Sequence, residues 1–197
     1  PCKKKLSDVK LNKKALRLKL LSLKEENPIL AWEPKAISDN LLKNYFFSKD
    51  KVIAGYWPMR NEADPRYLIA KLFKFGCMIC LPEVTSYSKI LNFRKWRPFD
   101  PLRPGKFGTS QPWGDQPLLV PDVILTPLVG FDKKGSRLGY GAGYYDTTIT
   151  NLKKNKGQTI VVIGVGREIQ RVNFVPISEH DERLDIVVTE ENFERLD

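Results

Sequence analysis

Ile160-Val161-Val162-Ile163-Gly164-Val165 is the strongest strand signal in the chain. It is β-branched throughout except for one glycine and carries no charge, as a strand buried on both faces does. Shorter runs of the same kind lie on either side of it: Val52-Ile53-Ala54-Gly55-Tyr56, Met78-Ile79-Cys80-Leu81, Val123-Ile124-Leu125-Thr126 and Ile186-Val187-Val188-Thr189. Ile90 to Trp96 reads as a further extended strand. Helical patterns separate them. Buried strands alternating with helices imply an α/β fold with a mainly parallel sheet covered on both faces. Ligands of such sheets bind beyond the carboxyl ends of the strands. Tyr56, Thr126, Gly164 and Thr189 stand at such ends.

The first helix is expected over 8–26. Leu16, Leu20 and Leu23 recur at helical spacing with Val9 and Leu18 near that face, Ser7 or Asp8 offers a cap, and Asn27-Pro28 ends it. A second helix is expected over 35–47, with Ile37, Leu41, Leu42, Tyr45 and Phe46 on its apolar side. Asp64-Pro65 opens a third that runs to about Phe75. Residues 97–117 are rich in Pro and Gly and read as a long ordered loop or lid.

Between the third buried run and a helix expected near Asp146 lies Arg137-Leu138-Gly139-Tyr140-Gly141-Ala142-Gly143-Tyr144-Tyr145-Asp146. Alternating glycines bare backbone N–H groups that can cradle phosphate oxygens. Arg137 adds a fixed charge, and Asp146 can hold a metal ion against the same phosphates. The strand–loop–helix setting is one that anion sites use. A glycine-rich hairpin tip with tyrosines filling the core is the competing reading. The spacing fits neither GxxxxGK[ST] nor GxGxxG.

A chain of 197 residues fits one domain, 1–197, with a proper core. No apolar run reaches the ~20 residues that span a bilayer, and the basic start has no apolar stretch behind it, so neither membrane nor secretory signal is expected. Cys77 and Cys80 form a CxxC inside a buried strand, where residues three apart face opposite ways, so they do not chelate together. With one histidine, His180, zinc is not expected, and the cysteine usage suits a reducing cytoplasm. Residues 1–24 hold nine Lys or Arg and one acid, +8 of the chain's net +10. That charge is open to three functional readings: nucleic acid, an anionic membrane surface, or an anionic small molecule. A solvated helix face is the fourth.

Four blocks together resemble the 5-formyltetrahydrofolate cyclo-ligase family over nearly the whole length. They are Lys13-x-x-x-Arg17, Arg60-Asn61-Glu62-Ala63-Asp64, Arg137 to Asp146, and Pro176 to Thr189. The third is the specific one. The resemblance implies a three-layer α/β sandwich like that of sugar-phosphate isomerases and CoA transferases. It implies closure of 5-formyltetrahydrofolate, polyglutamylated or not, to 5,10-methenyltetrahydrofolate with ATP and Mg²⁺, by a cytoplasmic monomer without nucleic-acid or membrane partners. Lys13 and Arg17 resemble the ATP-binding pair. Arg137, Leu138, Gly139, Tyr140, Gly141, Ala142, Gly143, Tyr144 and Tyr145 resemble the ATP loop, with Arg137 and Tyr144 as the catalytic candidates. Glu62 resembles a substrate-binding carboxylate, joined by Tyr56, Tyr140 and Tyr144. Asp146 and Asp185 resemble the Mg²⁺ ligands. Ala142 replaces a common glycine, Thr147 a usual basic residue, and Ser110-Gln111-Pro112 lacks a frequent acid.

The chemistry suits these residues. A formyl amide is a poor electrophile, and phosphorylating its oxygen makes that oxygen a leaving group. Such transfer needs positioning and charge neutralisation more than a protein nucleophile. Glu62 is open to two roles, recognition of the pterin and acceptance of the N10 proton. Two other classes stand beside this one: nucleic-acid binding through the first helix, for which no reader module is present, and an isomerase or transferase without ATP.

Overall fold

The computed structural model describes residues 2–156 and 159–196, with side chains from residue 9 onward and, before the gap, through residue 155. Two helices come first, α1 (Cys2–Glu26) and α2 (Glu33–Asn44). Then β1 (Val52–Ala54), α3 (Arg66–Phe75), β2 (Met78–Glu83) and β3 (Asn92–Lys95) follow. A short ribbon, β4 (Arg103–Pro104) with β5 (Ser110–Gln111), precedes β6 (Val123–Pro127). A hairpin of β7 (Gly130–Phe131) and β8 (Arg137–Leu138) leads to α4 (Tyr144–Lys156). The chain ends with β9 (Val161–Val165), β10 (Ile186–Val188) and β11 (Phe193–Arg195).

The main sheet has the order β11-β10-β9-β6-β1-β2-β3. Its five inner strands are parallel, and both edge strands run antiparallel to their neighbours. Alternation along each strand feeds two cores. Ile53, Ile79, Leu81, Leu125, Ile163, Val165 and Val188 meet Ile37 and Leu41 of α2 and Leu68, Ile69 and Leu72 of α3. Val52, Ala54, Cys80, Ile124, Val162 and Val187 face the other way, toward Ile149 and Leu152 of α4. Each fully buried aliphatic side chain contributes about 1.5–3 kcal/mol of transfer free energy. The result is helix layer, sheet, helix layer, as expected of the α/β class. Cys77 and Cys80 fall into opposite cores, as the strand period required. Among the described residues no helix is long and apolar enough to cross a membrane.

The helix α1 belongs to neither layer. Its Leu20 packs with Val129, Leu138 and Val175, so it lies across the β7–β8 hairpin at the carboxyl end of β6. It begins before the expected start, and its backbone runs through Ser7 and Asp8, so neither stands at a helix end. Capping by those side chains lies outside the described residues. Leu18 was expected near the apolar face and is 61% exposed. In α2 the helix stops at Asn44 and Tyr45 is already extended (φ −130°, ψ 126°). Phe46 therefore points to solvent and Phe47 takes the buried place. Pro65 precedes the first turn of α3 rather than sitting in it.

The 97–117 segment is ordered by charge. Glu83 of β2, nearly buried, accepts from Arg94 Nε and Arg103 NH2, each at 2.7 Å, which ties the β4–β5 ribbon to the sheet.

The β7–β8 turn depends on Gly135, whose φ is +75°. A Cβ there would stand 2.8 Å from the Leu184 carbonyl oxygen. Gly135→Ala should lower stability by roughly 1–3 kcal/mol, the usual cost of a strained backbone position. Urea unfolding checks it, and an unchanged midpoint would contradict this packing.

Candidate active site

The site starts from a buried cation. Arg137 sits in β8, and its side chain is only 3% exposed. Its guanidinium donates from NH1 to Thr126 Oγ1 at the end of β6, and from NH2 to Asp146 Oδ1 at 2.7 Å. Nε has no partner among the described residues. The guanidinium carbon lies 5.5 Å from the centre of the Tyr145 ring. Buried Asp132 holds the hairpin that carries Arg137. Its Oδ1 accepts the Lys134 and Ser136 N–H groups and its Oδ2 that of Val175.

The glycine loop, 139–143, therefore hangs between two fixed ends, Arg137 in β8 and Asp146 in the first turn of α4. It is not a tip packed into the core. Gly141 and Ala142 are exposed, Gly141 and Gly143 have φ of +102° and +76°, and a Cβ at Gly139 or Gly143 would meet nothing within 4 Å. The positive φ accounts for glycine at 143, whereas at Gly139 neither packing nor backbone demands it and close approach of a ligand to the backbone would. Tyr144 and Tyr145, partly buried, begin α4 and pack on its core. Phe107 of the 97–117 segment reaches to 6.1 Å from Tyr144, ring centre to ring centre.

The α1 helix roofs this loop. Lys13, Arg17, Leu20 and Lys24 follow one another at spacings of four, three and four, which places them on one stripe. Arg17 Nε donates to the Gly139 carbonyl at 2.8 Å, and its guanidinium covers Gly141. Lys13 turns to Asp181, with Ser178 Oγ at 3.3 Å. Lys10, Lys14 and Lys19 remain exposed. The basic segment is thus part solvated face and part site wall.

Lys24 is a member of the site that the sequence reading left within the basic segment. It is buried, and its Nζ lies 3.1 Å from the Tyr140 hydroxyl. Its position four residues after Leu20, on the apolar stripe, was the available signal. Glu62 is buried and accepts the Met59 N–H at 2.8 Å, so it braces its own loop and does not cap α3. Burial pushes the Glu62 carboxyl up, against the pull of the Met59 hydrogen bond and the Lys24 charge. Burial pulls Lys24 down. The phenols of Tyr140 and Tyr145 are pushed up by burial and by the Glu62 charge. Tyr56 lies beneath, with its hydroxyl donated to the Ala63 carbonyl at 2.6 Å.

The two proposed metal carboxylates do not converge on the loop. Asp146 Oδ1 takes Arg137 and the Glu182 N–H, while its Oδ2 takes no hydrogen bond among the described residues. Asp185 Oδ2 accepts the Val162 N–H at 2.7 Å, at the amino end of β9 and β10. Among the described residues no three His, Cys, Asp or Glu gather as a metal cage. Mg²⁺ commonly uses one or two carboxylates plus substrate phosphates, so Asp146 facing the loop fits that pattern and Asp185 does not. His180 is on the surface, its side chain 86% exposed. A second buried pair, Glu33 with Arg167, fixes the α1–α2 connection: Arg167 donates to both Glu33 oxygens at 2.6 and 2.8 Å and to the Asn27 carbonyl at 2.6 Å.

Asp146→Ala would strand the buried Arg137 charge, a type of loss that costs roughly 3–5 kcal/mol. Asp146→Asn keeps an oxygen for Arg137 and should cost less. Urea denaturation without ligands measures both. A change under about 1 kcal/mol for the alanine variant would mean that the pair does not hold the loop.

Comparison with known proteins bears directly on this arrangement. The 5-formyltetrahydrofolate cyclo-ligase family matches residues 9–190. The Haemophilus influenzae 5-formyltetrahydrofolate cyclo-ligase is 33% identical over 144 residues, 70% of this chain and 75% of that one. The Escherichia coli K12 enzyme of the same name is 33% identical over 142 residues, covering 70% and 76%. Among solved structures, Aquifex aeolicus 5,10-methenyltetrahydrofolate synthetase superposes with a TM-score of 0.71 at 28% identity, over 93% of this chain and 92% of that one. The Mycoplasma pneumoniae 5,10-methenyltetrahydrofolate synthetase shares the fold, with a TM-score of 0.69 at 23% identity over 91% and 99%. The chain belongs to the 5-formyltetrahydrofolate cyclo-ligase family.

Proposed function

We propose that this protein uses ATP to close 5-formyltetrahydrofolate to 5,10-methenyltetrahydrofolate, releasing ADP and phosphate. The observation that carries the reading is the open glycine loop held between buried Arg137 and the α1 cations. Such a loop presents backbone N–H groups and fixed positive charge to one polyphosphate, which is what phosphoryl transfer asks of a protein.

In this reading Lys13, Arg17, Arg137 and the backbone from Leu138 to Tyr145 hold ATP. Lys13 exchanges Asp181 for phosphate oxygens. Asp146, whose Oδ2 takes no hydrogen bond among the described residues, would hold Mg²⁺, and the ion would neutralise phosphate charge. Asp185 is left out of the metal set, because its carboxylate ties β9 to β10 at the far end of the strands. Glu62 accepts pterin N–H groups, with Tyr140 and Tyr144 beside the passage of the folate and Tyr56 shaping the floor. The γ-phosphoryl group passes to the formyl oxygen. N10 attacks the formyl carbon and loses its proton, the carbon–oxygen bond breaks, and phosphate departs as the ring closes. The guanidinium of Arg137 and the loop N–H groups steady the charge on the transferring group. Recognition is the favoured role for Glu62, since N10 can lose its proton to water after attack.

Mixing the protein with ATP, Mg²⁺ and 5-formyltetrahydrofolate should produce the near-ultraviolet absorbance of the methenyl product, and omission of any one ingredient should abolish it. Product formed without ATP would overturn the proposal.

Lys13→Ala and Arg17→Ala should each raise KM for ATP about ten- to a hundred-fold, because each removes a charged contact of roughly 1.5–3 kcal/mol. KM for the folate should change far less. Steady-state kinetics decides, and a normal KM for ATP in both variants would remove α1 from the site.

A further inference from the structure

Residues 178–182 form a bracket between α1 and α4. The turn closes on itself: the Asp181 N–H donates to the Ser178 carbonyl at 3.1 Å, and the Ser178 N–H donates to Asp181 Oδ2 at 2.7 Å. Two neighbouring carboxylates then reach opposite helices. Glu182 takes α4, accepting from Thr150 Oγ1 at 2.6 Å and from Lys153 Nζ at 2.8 Å, while its own N–H donates to Asp146 Oδ1 at 3.1 Å. Asp181 takes α1, where the Lys13 ammonium donates to its Oδ2 and lies 3.3 Å from Ser178 Oγ. The bracket thus joins the helix that roofs the glycine loop to the helix that follows it.

The side chains of Lys13 and Asp181 are only 15% and 21% exposed, so solvent screens this pair less than a surface one. Against the push of burial, the Lys13 and Ser178 hydrogen bonds hold the Asp181 carboxyl below its ordinary range. The two partners differ in freedom. Asp181 is tied into its own turn, and Glu182 pins that turn to α4. Lys13 hangs on a flexible four-carbon stem. Its root lies four residues, about 6 Å along the helix axis, before Arg17, which touches the glycine loop. When the pair parts, Lys13 is the partner that moves.

We propose that Asp181 is a built-in competitor of the nucleotide: its carboxylate occupies Lys13 in the ligand-free protein, and the polyphosphate has to take the ammonium from it. The ion pair is then an autoinhibitory contact. It weakens ATP binding by the free energy of the pair that is broken, and its re-formation favours departure of the nucleotide. This role of Asp181 rests on the reading of Lys13 as a phosphate ligand; the ion pair itself does not. The opposite role is that of an orienting partner that aims Lys13 at the phosphates. The two differ in sign: loss of a competitor tightens ATP binding, and loss of an orienting partner weakens it.

The test compares the full wild-type chain with Asp181→Asn, Lys13→Ala and the double variant. Asparagine keeps an oxygen for the Ser178 N–H and removes the charge. Isothermal titration with ATP and Mg²⁺ reads affinity without turnover. Asp181→Asn should bind ATP about five-fold more tightly than the wild type, a gain between that of an exposed ion pair and that of a charged hydrogen bond. KM for ATP should fall by a similar factor with KM for the folate unchanged. In the Lys13→Ala background the same substitution should change ATP affinity by less than about two-fold, because the competitor no longer has a cation to hold. Weaker ATP binding by Asp181→Asn would overturn the proposal, and so would an equal gain in the Lys13→Ala background. Urea unfolding of the four ligand-free proteins judges the pair itself: the single substitutions should be coupled by about three-fold or more in the unfolding equilibrium constant, and additive effects would overturn the contact. A wild-type chain that shows these ATP shifts and makes no methenyl product would sink the functional reading and leave Asp181 as the competitor. Four proteins that all fail to bind ATP would overturn both.

Discussion

One ion pair, a buried guanidinium on a half-buried carboxylate, fixes the geometry on which the site depends. Arg137 and Asp146 are nine residues apart, and the glycine loop is the chain between them. The loop has little internal structure, so its shape is set by its ends. Asp132 ties down the hairpin before it, Thr126 anchors the guanidinium to the last residues of β6, and the first turn of α4 carries Asp146. A carboxylate in that turn also suits the positive end of the helix dipole. The parallel sheet supplies the rigid frame, since β6 and β9 lie at its centre and are buried on both sides.

Charge is spent here on specificity of arrangement more than on stability. Buried ion pairs contribute little net stability, because desolvation opposes their attraction. Yet Arg137–Asp146 and Arg167–Glu33 both sit at the carboxyl ends of the strands, and Lys24 and Glu62 stand nearby. The arrangement orients α1, a helix that belongs to neither layer and carries most of the chain's net charge. Half of its stripe of four is in direct contact with the loop residues: Arg17 with Gly139 and Lys24 with Tyr140. A helix used in this way keeps cations close to the glycine-loop backbone.

The strands were legible in the sequence because their alternation obeys a period of two and their faces are uniformly apolar. Ile53, Leu125 and Val165 could be assigned to a buried sheet from pattern alone. The edge strand β11 was not legible: Phe193-Glu194-Arg195 is short and charged, and only its pairing with β10 makes it a strand. The end of α2 was misplaced because Tyr45 and Phe46 continue an apolar pattern, whereas the backbone turns extended before them. Arg137, Asp146 and the glycines announced themselves by spacing and by family likeness. Lys24 did not, since one lysine among nine basic residues looks like solvent-facing charge until Tyr140 is folded against it. Asp185 shows the converse: the family likeness made it a metal ligand, and the fold gives its carboxylate a backbone N–H at the opposite end of the strands.

The central claim is that the loop between Arg137 and Asp146 directs the γ-phosphoryl group of ATP onto the formyl oxygen. Oxygen-18 placed in the formyl group of 5-formyltetrahydrofolate follows that oxygen through the reaction. Mass spectrometry of the released phosphate should find one labelled oxygen per product molecule formed. Unlabelled phosphate, with the label appearing in water or retained in the folate, would contradict the claim.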